Sequence, residues 1–151
     1  MIKKFKNSRI PLWVNILQIL LTLIMLQQAF MFAFNHQAVL ASGIQIDGVA
    51  NLNLLYEFAS RTFVMAIISL FVLVSQSPRY FLVVLLINIL REGFETIIDP
   101  LFPLANAPMS PTADFIAHLI IVGIEILALV KVYKITREMD RDVPVDMNKQ
   151  T

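Results

Sequence analysis

The chain has 151 residues, enough for one domain, and its hydrophobic content of 58% exceeds the roughly 45–50% apolar share of soluble domains. With a mean hydropathy of +0.73 and so short a chain to make an interior, much of the apolar surface must be solvated by lipid. The absence of cysteine excludes disulfide scaffolds, thiolate metal sites and thiol redox relays, and a net charge of +1 gives no basis for a nucleic-acid partner.

A bilayer core of about 30 Å takes roughly 20 helical residues to cross. Four stretches meet that length: about 12–34, 54–75, 78–99 and 111–133. The first, Leu12 to Phe34, carries no charge. Val39-Leu40-Ala41 beyond it allows an alternative reading as a cleaved signal peptide, which would leave three spans. The second span begins near Leu54 and ends at Ser75. Ser77-Pro78 and Ser110-Pro111 each set an N-cap serine before a proline at the first helical position, opening spans three and four. Asp99-Pro100 is expected to close span three, because a residue before proline is pushed out of the helical region. The turn between spans two and three is so short that these two should pack as antiparallel neighbours.

Direction follows from lysine and arginine. Lys3, Lys4, Lys6 and Arg9 precede span one, Arg79 lies at the short turn, and Lys131, Lys134, Arg137, Arg141 and Lys149 close or follow span four. The two long loops, His36 to Asn53 and Pro100 to Ser110, contain neither residue. The positive-inside rule then puts both termini in the cytoplasm. The expected fold is an all-α integral membrane protein: four transmembrane helices in an antiparallel up-down bundle, N-in and C-in. Residues 134–151 form a charged cytoplasmic tail that reads as a solvated helix end. The loop carrying Pro100, Pro103, Pro108 and Pro111 is apolar enough to lie at the outer interface, as packing or as a lid. Trp13, Tyr56, Tyr80 and Tyr133 sit near span ends, as interface anchors do.

The ionisable residues within the spans all fall in the outer half of the membrane. Glu57 and Arg61 lie on span two, and Arg91, Glu92 and Glu95 on span three. Asp114, His118 and Glu125 lie on span four. At 100° per residue, Asn88, Arg91, Glu92, Glu95 and Asp99 share one sector of span three, and Asp114, His118 and Glu125 share one face of span four. Lipid cannot solvate such stripes, so they should face the interior and find partners. Antiparallel spans two and three would set Glu57 level with Glu95 and Arg61 level with Arg91, as two intrahelical bridges or a crossed quartet. Glu125 has no basic residue within a turn on its own helix. It is read either as a proton site or hydrogen-bond donor at the floor of an outer pocket, or as an ion-pair member reached by Arg61 or Arg91. Asn15, Gln18 and Thr22 share a face of span one as interhelical hydrogen-bonding residues.

Metal binding draws on Glu92-x-x-Glu95 and Asp114-x-x-x-His118, with Glu57, Glu125 and His36 as further donors. The di-iron pattern of Glu-x-x-His on two helices is missing, and Arg61 and Arg91 would repel a cation at the same centre. No cofactor is predicted. No phosphate loop, His-Glu-x-x-His or nucleophile elbow is present.

The layout resembles the small four-helix bacterial membrane proteins grouped as a domain of unknown function, with a looser similarity to DoxX-like proteins. The likeness covers Asn51 to Tyr133. It is carried by Glu57 and Arg61 opening span two, Arg91 late in span three, the proline-containing outer loop and Glu125 inside span four. The stretch Ala59 to Ser69 departs from it in having no glycine. The resemblance implies a four-helix protein of the bacterial cytoplasmic (inner) membrane and supplies no activity. The leading reading is a structural or accessory membrane protein, its partners the bilayer and another membrane subunit or a second copy. The alternatives are an outward-facing polar pocket that binds or transports a solute, proton or metal, and a membrane enzyme using acid–base residues.

Overall fold

Helix α1 runs over Leu12–Phe34 and coincides with the first expected span. Pro11 stands before it in an extended conformation, and the Asn15 side chain donates back to the carbonyls of Ile10 and Pro11 at 3.4 and 3.3 Å. The Pro11 carbonyl also accepts from the Val14 and Asn15 N–H groups, so the side-chain bond ties Asn15 to the segment that enters the helix. A short helix α2, His36–Ala41, follows at once, capped by Asn35, whose side chain accepts from the Ala38 N–H. The sequence reading treated this segment as loop. Helix α3 covers Gly48–Ser75 and so begins earlier than Leu54. It ends at Gln76 in the left-handed region (φ 55°), and Ser77 then starts α4, Pro78–Leu101, without a side-chain cap bond. Helix α5 spans Pro111–Arg141, with the Ser110 hydroxyl accepting from the Ala113 N–H. The computed structural model describes residues 9–107 and 109–141; Lys3, Lys4, Lys6, Pro108, Asp142 and Lys149 lie outside the described residues.

Two further boundaries differ from expectation for physical reasons. Pro100 does not stop α4 at Asp99; it sits inside the last turn. There the missing proline N–H removes a single bond, and the helix ends one residue later, so little is lost. Helix α5 continues past Tyr133 to Arg141 and is held there by Arg79, which donates to Asp140 at 2.6 Å.

Helix makes up 85% of the structure, and the described residues contain no strand. Three helices, α1, α3 and α5, are long and apolar enough to cross a membrane. In α4 every 18-residue stretch holds at least three charged residues, which separates it from the other three. The apolar surfaces face outward. Only 17% of the most apolar stretch of α5 is buried, and Ile116, Leu119, Ile120 and Leu127 are exposed. Lipid, not protein, is the natural solvent for that surface.

The helices pack as two close pairs, α1 with α3 and α4 with α5, whereas α3 and α4 approach mainly at their turn. The shortest connection in the chain, between α3 and α4, therefore does not join the closest neighbours in space. The buried face of α3 explains part of this. It presents Ala59, Thr62, Ala66 and Ser69, small residues that let α1 approach closely. All four long helices meet in one apolar cluster at the end that holds the short turn: Val14 from α1, Val72 and Leu73 from α3, Phe81, Val84 and Leu85 from α4, and Ala128 and Val132 from α5. At the opposite end the two long connections touch. The Asn106 N–H donates to the Ser42 carbonyl, and Gly43 lies against Ala105.

Candidate functional site

The α4–α5 pair positions the site. The buried stripe of α4 (Val84, Leu85, Asn88, Glu92 and Thr96) faces the stripe of α5 that carries His118, Glu125 and Ala128. Nearer the short turn this seam is apolar. Above Val84 and Ala128 it turns polar.

His118 is the centre. Its Nδ1 lies 2.8 Å from Glu92 Oε2 across the seam. Its Nε2 lies 3.5 Å from Asp99 Oδ2 and 3.8 Å from Asp114 Oδ1. Arg91 donates to the other oxygen of Glu92, and its second terminal nitrogen stands 3.9 Å from Glu95. Glu92 thus joins the guanidinium to the imidazole, and its side chain is only 5% exposed. Asp99 and Asp114, more exposed, stand at the end of the seam beside the long connections. Thr96 turns its hydroxyl onto the Glu92 carbonyl at 2.6 Å, the usual solution for a hydroxyl in apolar surroundings.

Glu125 lies deeper on α5, seven residues and so about 10 Å along the axis from His118. It is fully buried, and neither carboxyl oxygen has a hydrogen-bond partner among the described residues. The charges it feels are those of Glu92, Arg91 and Glu95, all from α4. The expectation that Arg61 or Arg91 reaches it as an ion-pair partner is not met: Arg91 is committed to Glu92 and Glu95, and Arg61 is elsewhere.

Of the expected cluster, the structure brings together Arg91, Glu92, Glu95, Asp114 and His118, with Asp99 added and Glu125 beneath. Glu57 and Arg61 are not part of it. They form a separate i,i+4 pair on α3 at 2.8 Å, with side chains 48% and 78% exposed, and Asn53 donates to Glu57 as well. The crossed quartet with Arg91 and Glu95 is absent because α3 packs on α1 and not along α4. His36 packs its ring against Tyr56, away from the cluster.

Helical periodicity underestimated one contact. Arg91 and Glu92 are adjacent in sequence and 100° apart on the helix, yet the long guanidinium folds back onto the carboxylate. Gln18 and Asn15 do bond between helices, Gln18 accepting from Asn88 at 3.2 Å and Asn15 accepting from Gln76 at 2.8 Å. Thr22 instead donates to its own helix at the Gln18 carbonyl. Gln76 carried no signal beyond its place in the turn.

Two groups of side chains have ligand atoms close enough to hold one metal ion: Glu92, Glu95 and His118, and Asp99, Asp114 and His118, each within 4.8 Å of one another. In the first, the Arg91 guanidinium already stands where a cation's charge would act. In the second, no cation competes, and the imidazole is oriented by a carboxylate on its far nitrogen, as metal-binding histidines usually are. A separate apolar groove of about 860 Å³ lies between α1 and α3, lined by Phe30, Phe34, Tyr56 and Phe63 among others; none of the cluster residues lines it.

Fold and site together define an all-helical membrane protein with an acid-rich, histidine-centred polar cluster between two of its helices. No protein-family model matches the chain, and neither a curated protein nor a solved structure matches it significantly.

Proposed function

We propose that the protein is a four-helix transmembrane bundle of the cytoplasmic membrane, with both termini inside, that binds protons from the outer face at the His118 cluster. The orientation is supported by Arg79, Lys131, Lys134, Arg137 and Arg141 gathering at the end that holds the short turn, while the long connections carry no lysine or arginine. That orientation sets Asp99 and Asp114 at the outer mouth and Glu125 near the midplane. The likeness to small four-helix and DoxX-like membrane proteins carries no activity over, so the reading rests on the site.

The observation that carries it is a charge imbalance. Glu92, Glu95, Asp99, Asp114 and Glu125 are five carboxyl groups, and Arg91 and His118 are the two side chains among them able to be positive. In a low-dielectric interior an excess of carboxylates is compensated by bound cations, and the simplest is the proton. Ion pairing with Arg91 and His118 alone leaves three of the five carboxyl groups without a basic partner of their own.

The approach of Asp99 and Asp114 to His118 Nε2 favours a second reading, a divalent metal ion at the mouth. Purified protein in detergent is titrated between about pH 8 and pH 5 as wild type, as His118→Ala and as Asp99→Asn/Asp114→Asn, and proton uptake is counted. Uptake that falls in both variants supports the proton site. Saturable zinc binding with proton release, lost in both variants, replaces it with the metal. Uptake unchanged in both refutes the site.

A further inference from the structure

Below His118 the polar side chains do not stop at Glu125. Asn88 lies on α4 one turn, about 6 Å, beneath Glu92, and it donates to Gln18 of α1. Asn15 lies one turn further along α1 and accepts from Gln76 at the short turn. The series Glu92, Asn88, Glu125, Gln18, Asn15 and Gln76 therefore lies between the cluster and the cytoplasmic end. Bonds seen directly join α4 to α1 through Asn88 and Gln18, and α1 to the short turn through Asn15 and Gln76. Gln76, half-buried, opens the series to that side.

The members of this series hold unused hydrogen-bonding atoms. Gln76 Oε1, Gln18 Nε2, Asn88 Oδ1 and both oxygens of Glu125 are buried with no partner among the described residues. Gln18, Asn88 and Glu125 are each 0% exposed. An unpaired buried polar atom is costly, and five of them along one seam weigh heavily against the marginal stability of a small domain. Small polar molecules must meet them, and internal water, which makes two to four bonds to such groups, is the fitting one.

The surroundings of Glu125 leave it as the single acid at this depth. From α4 it faces Arg91, Glu92 and Glu95; on α5 His118 is two turns away. Helix α1 has no ionisable residue between Leu12 and Phe34, and the charged residues of α3, Glu57 and Arg61, are exposed and paired with each other.

We propose that a file of water and polar side chains runs through the bundle from the His118 cluster to Gln76, and that it conducts protons with Glu125 as the midway station. This rests on the proton reading of the outer site and extends it from binding to transfer. A proton held at His118 or Glu92 passes through water to a Glu125 oxygen. Glu125 then gives it up to water on the Asn88–Gln18 side, and the carboxylate is restored. The amides of Asn88, Gln18 and Gln76 hold water in line and neither gain nor lose a proton. The net change is one proton moved from one face to the other.

The test uses the full chain in liposomes that contain a trapped pH dye, with a potassium diffusion potential as driving force. Wild type, Glu125→Gln, Asn88→Leu, Gln18→Met and Arg61→Ala are compared with protein-free liposomes, and proton uptake by each in detergent is measured separately. The expected result is flux above background in wild type and Arg61→Ala, lost in the other three, with proton uptake in detergent retained in Arg61→Ala. Glu125→Gln keeps the shape of the side chain and so reports even where a leucine variant fails to fold. Wild-type flux at the protein-free background overturns the file while leaving the outer site standing if uptake persists. Undiminished flux in Glu125→Gln overturns Glu125 as the station. Absent uptake with flux lost in the three variants supports the file and refutes the outer site instead.

Discussion

Replacing Arg91 by methionine tests the electrostatics of the site, because the same chain provides its own control at Arg61. Arg91 bonds Glu92, a carboxylate only 5% exposed, and stands 3.9 Å from Glu95. Removing one partner of a buried pair costs about 3–5 kcal/mol, most of it from the charge left behind. Two features bring the expected value to the low end. The Arg91 side chain is itself 21% exposed, and Glu92 keeps His118 at 2.8 Å. A loss of about 2–3 kcal/mol follows, or a fall in melting temperature of about 5–10 °C for a domain of this size. Arg61→Ala removes an exposed pair and should cost less than about 1 kcal/mol. The double variant Arg91→Met/Glu92→Gln should regain a large part of the loss, since it takes away the stranded charge. Thermal unfolding in detergent, followed by circular dichroism, measures all four proteins. A loss at Arg91 no larger than at Arg61, or no recovery in the double variant, would refute the view of Glu92 as a buried carboxylate held by Arg91.

A cysteine placed at Ser42 should label with an impermeant reagent from outside intact cells, and a reporter fused at Thr151 should be active only in its cytoplasmic form; labelling at Ser42 only after permeabilisation would reverse the orientation. Gly43→Ala should loosen the contact between the two long connections, because the backbone there has φ +94° and a new Cβ would meet Ala105 Cβ at 2.9 Å. The cost is expected at about 1–2 kcal/mol, read as lower thermal stability together with faster hydrogen exchange at Ser42 and Asn106. Gln18→Leu should destabilise by about 1–3 kcal/mol by stranding the Asn88 amide, and Gln18→Leu/Asn88→Leu should cost less than the sum of the two single changes. Strict additivity would mean that the amide pair does not couple.

What could be read from the sequence was whatever depends on one helix at a time. The bounds of α1, the serine cap of α5 and the shared face of Asp114, His118 and Glu125 all follow from charge, capping chemistry and the 3.6-residue period. What could not be read depends on which helix faces which. A short turn between Ser75 and Pro78 makes α3 and α4 antiparallel neighbours by connection, but small residues along α3 draw it onto α1. Glu57 and Arg61 therefore leave the cluster. The helical angle places an i,i+1 pair apart and says nothing of a flexible guanidinium, so periodicity pairs Arg91 with Glu95 and misses Glu92. An Asp-Pro step signals a stop at Asp99, although a proline in the last turn gives up little.

The ionic contacts of this protein fall into two kinds, and the difference bears on what the cluster is for. Glu57 with Arg61, and Arg79 with Asp140, are one acid against one base. Each is exposed, and each could fix an orientation or hold a helix end without further help. Ion pairs used only to set helix register need no more than that, because any surplus charge in a low-dielectric interior costs stability without adding specificity. The seam between α4 and α5 breaks the pattern. Its acids outnumber its bases, one acid is fully buried without a protein partner, and the single histidine has a carboxylate on each side of its ring. On the proposed reading, protons or other cations compensate this surplus, and their number varies with what the solution at the mouth supplies. The polar amides beneath follow the same logic, since apolar residues at Asn88 and Gln18 together would have packed without leaving atoms unsatisfied. On the proposed reading, the stability given up along this one seam is what separates an exchange site from a strut.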